Sequence, residues 1–291
     1  MKAGTIQINR GSRTMKSASA LALLYLVLSV QPLEAAAPKQ ETLRAWDDYI
    51  RILNQNVAKS SAGDSQFLWV DESQDLARRV LGNEVVLTSH DPKNVPQGMI
   101  HDWVGVVFVP HATLDQALSV VENYDRYGEF YKPLVRKCTI LARDENQVKL
   151  NVVAAQKVLS VTAAVETEEQ VHAVKLSPQR AYITSNAVRV REIADYGQPS
   201  EHPFPENRRP GFVWREVTVQ RFEERDGGVY IELETVLLSR GIPAELRWLI
   251  KPLADELPRR LMISVLSDTR SAVLQETRLS PPQDLSLAAG R

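Results

Sequence analysis

The sequence predicts an α+β fold: a curved antiparallel sheet of about six to seven strands, two short helices after the first strand, and a long C-terminal helix across the sheet. Three observations predict it. Strand-like runs follow one another from residue 99 to 238, interrupted once by a helical stretch near 113–131. Asp226-Gly227 is a strong two-residue hairpin turn between the last two runs. Ile242–Thr277 then carries Leu246, Leu249, Leu253, Leu257, Leu261, Val265, Asp268 and Ala272 along one side of a long helical pattern. An antiparallel sheet needs a cover on one face, and a single long helix is a natural one.

Taken in order, residues 1–37 read as an export signal. Lys2, Arg10, Arg13 and Lys16 precede the apolar run Ala20–Val30, and small residues Ala35–Ala37 follow. That run of about 11 residues is short of the roughly 20 that span a bilayer. Cleavage near Ala35–Ala37 and a periplasmic or secreted location are expected, with Met15 a second candidate start. Residues 38–83 read as an N-terminal helical extension, because Trp46, Tyr49, Ile50, Leu53 and Val57 form one apolar stripe and 73–81 a helical turn. The domain proper is expected over 84–277. It holds a short strand at 84–88, turn chemistry at 91–98, and a long strand, Met99–Val109, stopped by Pro110. Thr113-x-x-Gln116 is a capping box that opens a helix, and Tyr124–Tyr131 is a second short one. Strands are expected near 134–143, 146–155, 158–166, 170–177, 181–193, 212–224 and 228–238, some of them continuous. The loop 195–211 holds four prolines and reads as irregular. Pro252 and Pro258 are expected to break or kink the terminal helix early, and 278–291 to form a tail.

Composition narrows the chemistry. The 291 residues are 44% hydrophobic and 24% charged, with 35 basic and 36 acidic side chains, which is globular and carries no basic footprint for nucleic acid. Loss of residues 1–36 would remove four basic residues and one acid, leaving 31 against 35. A lone cysteine, Cys138, excludes an internal disulfide and a multi-thiolate metal site, and it reads as a packed side chain. Five scattered histidines add no ligand spacing, so neither metal nor cofactor is expected. There is no glycine-rich phosphate loop, nucleophile elbow or HExxH, and no residue is assigned as catalytic.

The last hairpin gives the clearest register. Pairing across Asp226-Gly227 sets Phe222 opposite Ile231, Gln220 opposite Leu233 and Thr218 opposite Thr235. One face then gathers Trp214, Glu216, Thr218, Gln220, Phe222, Ile231, Leu233 and Thr235, and as the more apolar it should look inward. The other carries Arg215, Arg221, Glu223, Tyr230, Glu232 and Glu234 and should be solvated, with Arg221–Glu232 an exposed cross-strand pair. Polar groups on an inward face cost on the order of 1–3 kcal/mol each when unpaired. A water- or ligand-containing cavity resolves that cost, as would placement near strand ends that reach solvent. Arg189 and Arg191 share a strand face, either solvated or reaching a ligand carboxylate or phosphate inside the cavity. His101 and Asp102 are strand neighbours and face opposite ways. Trp248, Leu249 and Ile250 beside Pro252 suit either ordinary packing or a transient membrane contact.

Several segments together resemble the START-like, or SRPBCC, superfamily with its helix-grip fold. They are Trp103-Val-Gly-Val-Val-Phe-Val109, Thr113-Leu-Asp-Gln-Ala-Leu118, Tyr124-Asp-Arg-Tyr127, Lys132-Pro133, Leu176-Ser-Pro-Gln-Arg-Ala181, Phe222-Glu-Glu-Arg-Asp-Gly-Gly-Val229 and Ile242-Pro-x-x-Leu-x-Trp-Leu249. The resemblance covers about residues 84–277 and is to an exported bacterial branch. It implies a cavity between sheet and terminal helix for a hydrophobic or amphipathic molecule, a lipid or isoprenoid, that is carried or sequestered. Trp214, Glu216, Thr218, Gln220, Phe222, Ile231, Leu233, Thr235 and Arg189 are the expected ligand-binding residues. The alternatives are a cyclase or dehydratase using a cavity carboxylate such as Glu216, and a non-catalytic envelope interaction protein with a dry core.

Overall fold

The computed structural model describes residues 37–63, 65–158, 161–204, 213–241 and 247–279. The expected export signal up to residue 36, residues 205–211 of the proline-rich loop, the tail beyond 279, and the side chains of Trp248, Leu249 and Ile250 lie outside the described residues.

Helix α1, Gln40–Ala62, buries Trp46, Leu53 and Val57 from the apolar stripe. Gly63 ends it at φ 88°, donating its N–H to the carbonyls of Lys59 and Ser60. A 3₁₀ turn at Trp69–Glu72 leads to α2, Gln74–Leu81, capped by the Ser73 hydroxyl. Three strands follow: β1, Val86–Ser89; β2, Lys93–Val95; and β3, Gly98–Pro110. Helix α3, Leu114–Val121, opens on the expected capping box, in which Thr113 and Gln116 each donate a backbone N–H to the other's side chain. A 3₁₀ turn, Tyr124–Arg126, and the short α4, Tyr127–Phe130, complete the helical interruption. The remaining strands are β4 (Val135–Arg143), β5 (Gln147–Val158), β6 (Val161–Lys175), β7 (Arg180–Ala194), β8 (His202–Pro203), β9 (Val213–Arg225) and β10 (Gly228–Arg240). Helix α5, Arg247–Leu279, closes the described chain.

The antiparallel sheet runs β1-β3-β10-β9-β7-β6-β5-β4, with β2 beside β3 and β8 beside β7. Among the described residues it has ten strands rather than the six to seven expected: seven long ones, the short strand read at 84–88, which forms β1, and the short β2 and β8. The last hairpin has the predicted register, Phe222 to Ile231, Gln220 to Leu233 and Thr218 to Thr235. Asp226 and Gly227 sit at φ 55° and 76°, the left-handed pair that such a turn demands.

β6 is one strand over 161–175, so the runs read at 158–166 and 170–177 are continuous. Two expectations are corrected along the chain. α5 runs unbroken through Pro252 and Pro258; each proline removes one N–H bond, and packing of the later turns holds the helix. Its buried side chains include the expected Ala272, together with Met262, Leu266, Thr269 and Val273, which lie one residue round from the expected Leu261, Val265, Asp268 and Ala272. Gly105 explains the seating, since a Cβ there would lie 2.8 Å from Leu266 Cδ1. The bare backbone is the notch into which Leu266 drops.

The largest correction concerns the second sheet face. Arg221 and Glu232 are 7% and 1% exposed, not a solvated pair. The N-terminal extension covers them. α1 lays Trp46, Leu53 and Val57 on Ile100, Val217, Val236 and Leu238, while Phe67, Leu68, Val70 and Val80 pack on Val106, Phe108 and Tyr230. The sheet is therefore a middle layer, with α5 and α3 on its inner face and residues 40–81 on its outer face. Both-sided burial accounts for the continuous apolar run Val104–Val109, which alternation alone does not require. The covered charges hold one another. Arg221 Nη1 donates to Glu232 Oε1 at 2.7 Å and Glu234 Oε2 at 2.8 Å, and the Trp69 N–H donates to Glu232 Oε2 at 2.6 Å.

Candidate functional site

The strand registers arrange the inner face as four cross-sheet rows. Nearest α3 stand Val107, Ile231, Phe222 and Ala181. Next come Gly105, Leu233, Gln220, Ile183 and Ala173. The third row is Trp103, Thr235, Thr218, Ser185 and Val171, and the fourth His101, Leu237, Glu216, Ala187 and Glu169. Successive rows are two residues, about 7 Å, apart. The face thus grades from wholly apolar to markedly polar over about 20 Å.

Among the described residues, the polar end is incompletely paired. Glu169 accepts hydrogen bonds from Thr167 Oγ1 and Ser185 Oγ, both at 2.8 Å. Glu216, Thr218, Gln220 and Thr235 are only partly buried and make no side-chain hydrogen bond among the described residues. Burial, reinforced by the charge of Glu169, pushes the Glu216 carboxyl up to about 7. Only the methyl of Ala187 separates the two acids along their row, which are about 10 Å apart at the backbone. Glu169 also acts on groups across the interior. Burial first, then neighbours that include Glu169, raises Tyr124 and Cys138 to about 12 and Tyr127 well above its ordinary value. Cys138 is thereby held as an unreactive thiol. His101 engages Ser239 Oγ at 2.9 Å on one face, while Asp102 meets Tyr49 on the other.

A cleft of about 620 Å³ opens where α3 meets the β4–β5 turn. Leu118, Tyr124, Val148, Val171, Ala173 and Ile183 give it an apolar floor, and Glu122, Asp125, Arg143, Asp144, Glu145 and Lys175 a charged rim. Its size suits a small organic ligand. None of the nine expected ligand-binding residues lines it. Two of its floor residues stand in the inner-face rows, Ile183 beside Gln220 and Val171 beside Ser185. A smaller recess of about 190 Å³ under α1 is walled by Ser60, Gln66, Glu72, His90, Arg221 and Glu234, among others.

Seven of the expected residues share the inner face: Glu216, Thr218, Gln220, Phe222, Ile231, Leu233 and Thr235. Trp214 and Arg189 do not, each for the same reason. Leu238 pairs with Arg215 but Ser239 with Val213, so Trp214 is the extra residue of a β-bulge. It turns to the outer face, packed with Trp46 and Leu53 of α1. Likewise Glu168 pairs with Arg189 and Glu169 with Ala187, leaving Val188 as the extra residue. Beyond that bulge Arg189 meets Glu168, and Arg191 meets Glu166, on the outer side. Thr167, Ser185 and Glu169 are inner-face residues that sequence reasoning missed. The signal was the alternation Thr167-Glu169-Val171-Ala173, which begins between the runs read at 158–166 and 170–177.

No family model matches this chain, and no curated protein matches it. Solved structures similar to it include a STAR-related lipid transfer protein of Xanthomonas axonopodis, 14% identical, covering 65% of this chain and 98% of that one at a TM-score of 0.41. The Zhui aromatase/cyclase of Streptomyces sp. R1128 is 12% identical, covering 62% and 97% at 0.42. Human STARD10 is 9% identical, covering 72% and 81% at 0.41. At such identities and scores they carry no ligand or activity to this chain. The element order, the antiparallel sheet and the long terminal helix seated across it are themselves those of a helix-grip α+β fold.

Proposed function

We propose that this chain binds a hydrophobic or amphipathic small molecule, a lipid or isoprenoid, along the concave inner face and carries or sequesters it in the cell envelope. The observation that carries this reading is the polarity gradient. Among the described residues, four polar side chains without a side-chain hydrogen bond stand toward one end of a face that is apolar at the other. Left unpaired in a dry core, such groups would cost on the order of 1–3 kcal/mol each. A bound molecule with one polar end satisfies them, while its apolar body gains about 25 cal/mol per Å² of surface buried against the cleft floor. The charged-then-apolar-then-small order of residues 1–37 supports export, and the Trp248-Leu-Ile250 cluster supports membrane contact during loading.

The test is native mass spectrometry of the chain purified without detergent, followed by organic extraction and a lipid-uptake panel. A co-purifying lipid or isoprenoid, or uptake of one, is expected. A clean mass with no uptake would leave a protein that works through its surface, with a filled core.

One observation favours a second reading. A carboxylate raised to about 7 on a partly exposed inner face suits a general acid or base at neutral pH. A cyclase- or dehydratase-type reaction would use Glu216 in that role. Turnover that is lost in Glu216→Gln, with binding retained, would distinguish it from carriage.

A further inference from the structure

Among the described residues, the strands of the inner face carry charge of one sign at the polar end. Glu216 and Glu169 share its polar end, and Glu169 is the charged group that acts on Glu216. For Cys138 the acting charges are Glu169 and Asp125; for Tyr127, Glu169 with its neighbouring tyrosines and Cys138. The strand arginines that could have balanced these acids are turned away. The bulge at Val188 sends Arg189 to Glu168, and Arg191 to Glu166, on the outer side of the sheet. Arg143 and Lys175 stop at the rim of the cleft. His101, in the same row as Glu216 but beyond Leu237, is engaged by Ser239. Among the described residues, the polar end therefore offers two carboxylate acceptors, Glu216 and Glu169, beside the neutral Thr218, Thr235 and Gln220, which both donate and accept.

From this placement we infer that the bound molecule ends in a hydrogen-bond donor, an alcohol or an amine, and that fatty acids and phosphate-headed lipids are rejected. The inference rests on the carriage reading and specifies its ligand. An alcohol donates to Glu216 or Glu169 and accepts from a threonine hydroxyl or the Gln220 amide. An ammonium head donates to the carboxylates and gains their charge. A carboxylate or phosphate head would sit within hydrogen-bond reach of like charge in a poorly solvated space, where repulsion is least screened. Discrimination thus comes from repulsion of the wrong head as much as from attraction of the right one.

The test holds the tail constant and changes the head. The full chain is titrated at pH 8 with hexadecanol, hexadecylamine and palmitate, each below its critical aggregation concentration, by native mass spectrometry and by competition with a fluorescent alkyl probe. The alcohol and the amine are expected to bind at least roughly tenfold more tightly than palmitate, the scale of one unfavourable charge contact. In the double variant Glu169→Gln, Glu216→Gln, checked for folding by circular dichroism, palmitate should gain and the amine should lose affinity. Palmitate binding as tightly as hexadecanol to the unaltered chain would overturn the donor-head inference while leaving carriage standing. Failure of all three tails to bind would overturn the carriage reading and this inference with it. The comparison of heads on the unaltered chain needs no variant to fold.

Discussion

The Tyr49 hydroxyl donates a 2.7 Å hydrogen bond to Asp102 Oδ2, joining α1 to the back of the strand whose Gly105 seats α5. Asp102 is 6% exposed, its other oxygen is buried without a partner, and His90 Nδ1 lies 3.3 Å from Oδ2. Burial and the Asp102 carboxylate hold the Tyr49 phenol well above its ordinary range. Tyr49→Phe keeps the ring and removes this bond from an already under-satisfied acid. A loss of about 1–3 kcal/mol is expected in urea unfolding. Hydrogen exchange should speed up first across residues 40–62.

The outer-face acids give stability a pH dependence of definite sign. Burial raises Glu232 to about 7 against the opposing effects of Arg221 and the Trp69 N–H, and burial also raises Glu234. The folded chain then holds protons that the unfolded chain releases between about 4.5 and about 7. Stability falls as pH rises through that window. Glu216, raised likewise on the inner face, adds to the same slope. Urea midpoints should be lower at pH 8 than at pH 5, and Glu216→Gln should remove the inner share of that difference.

Arg221 faces both outer acids, so its removal should be costly. Arg221→Met leaves Glu232 and Glu234 buried beside each other without their cation. A loss of about 3–5 kcal/mol is expected, greater at pH 8 than at pH 5 because the acids can neutralise at the lower pH. Thermal melts at the two pH values measure it.

Trp214 and Phe222 should separate stability from loading. Trp214→Ala opens a cavity under α1, costing about 3–5 kcal/mol, yet the folded fraction should load ligand as before. Phe222→Ala opens the inner face and should lower both quantities. Melts run beside native mass spectra decide it; loss of ligand in Trp214→Ala would contradict the face assignment.

Much of the architecture was legible because local chemistry and tertiary pairing agree. Asp226-Gly227 permits one tight turn, and from that turn the pairing of Phe222 with Ile231 follows residue by residue. Thr113 and Gln116 cap α3 through atoms three residues apart, so nothing distant can alter the motif. Legibility failed where one residue changes the phase. The bulges at Trp214 and Val188 insert a single position, after which alternation assigns the wrong face. Nothing in the residue types marks an insertion that depends on the neighbouring strand. The outer charges failed differently. Arg221, Glu223 and Glu232 look solvated along their own strands, and only the stripe on α1, some 160–190 residues earlier, shows that they have a cover. Trp46, Leu53 and Val57 needed a partner surface, and that demand was the available clue.

Gly105 has one more consequence. Leu266 can drop toward β3 only because that position has no side chain, so a missing methyl sets the height at which α5 rides over the sheet. Gly105→Ala would lift the helix like a shim, so the spacing of two whole layers is set by one hydrogen atom in place of a side chain.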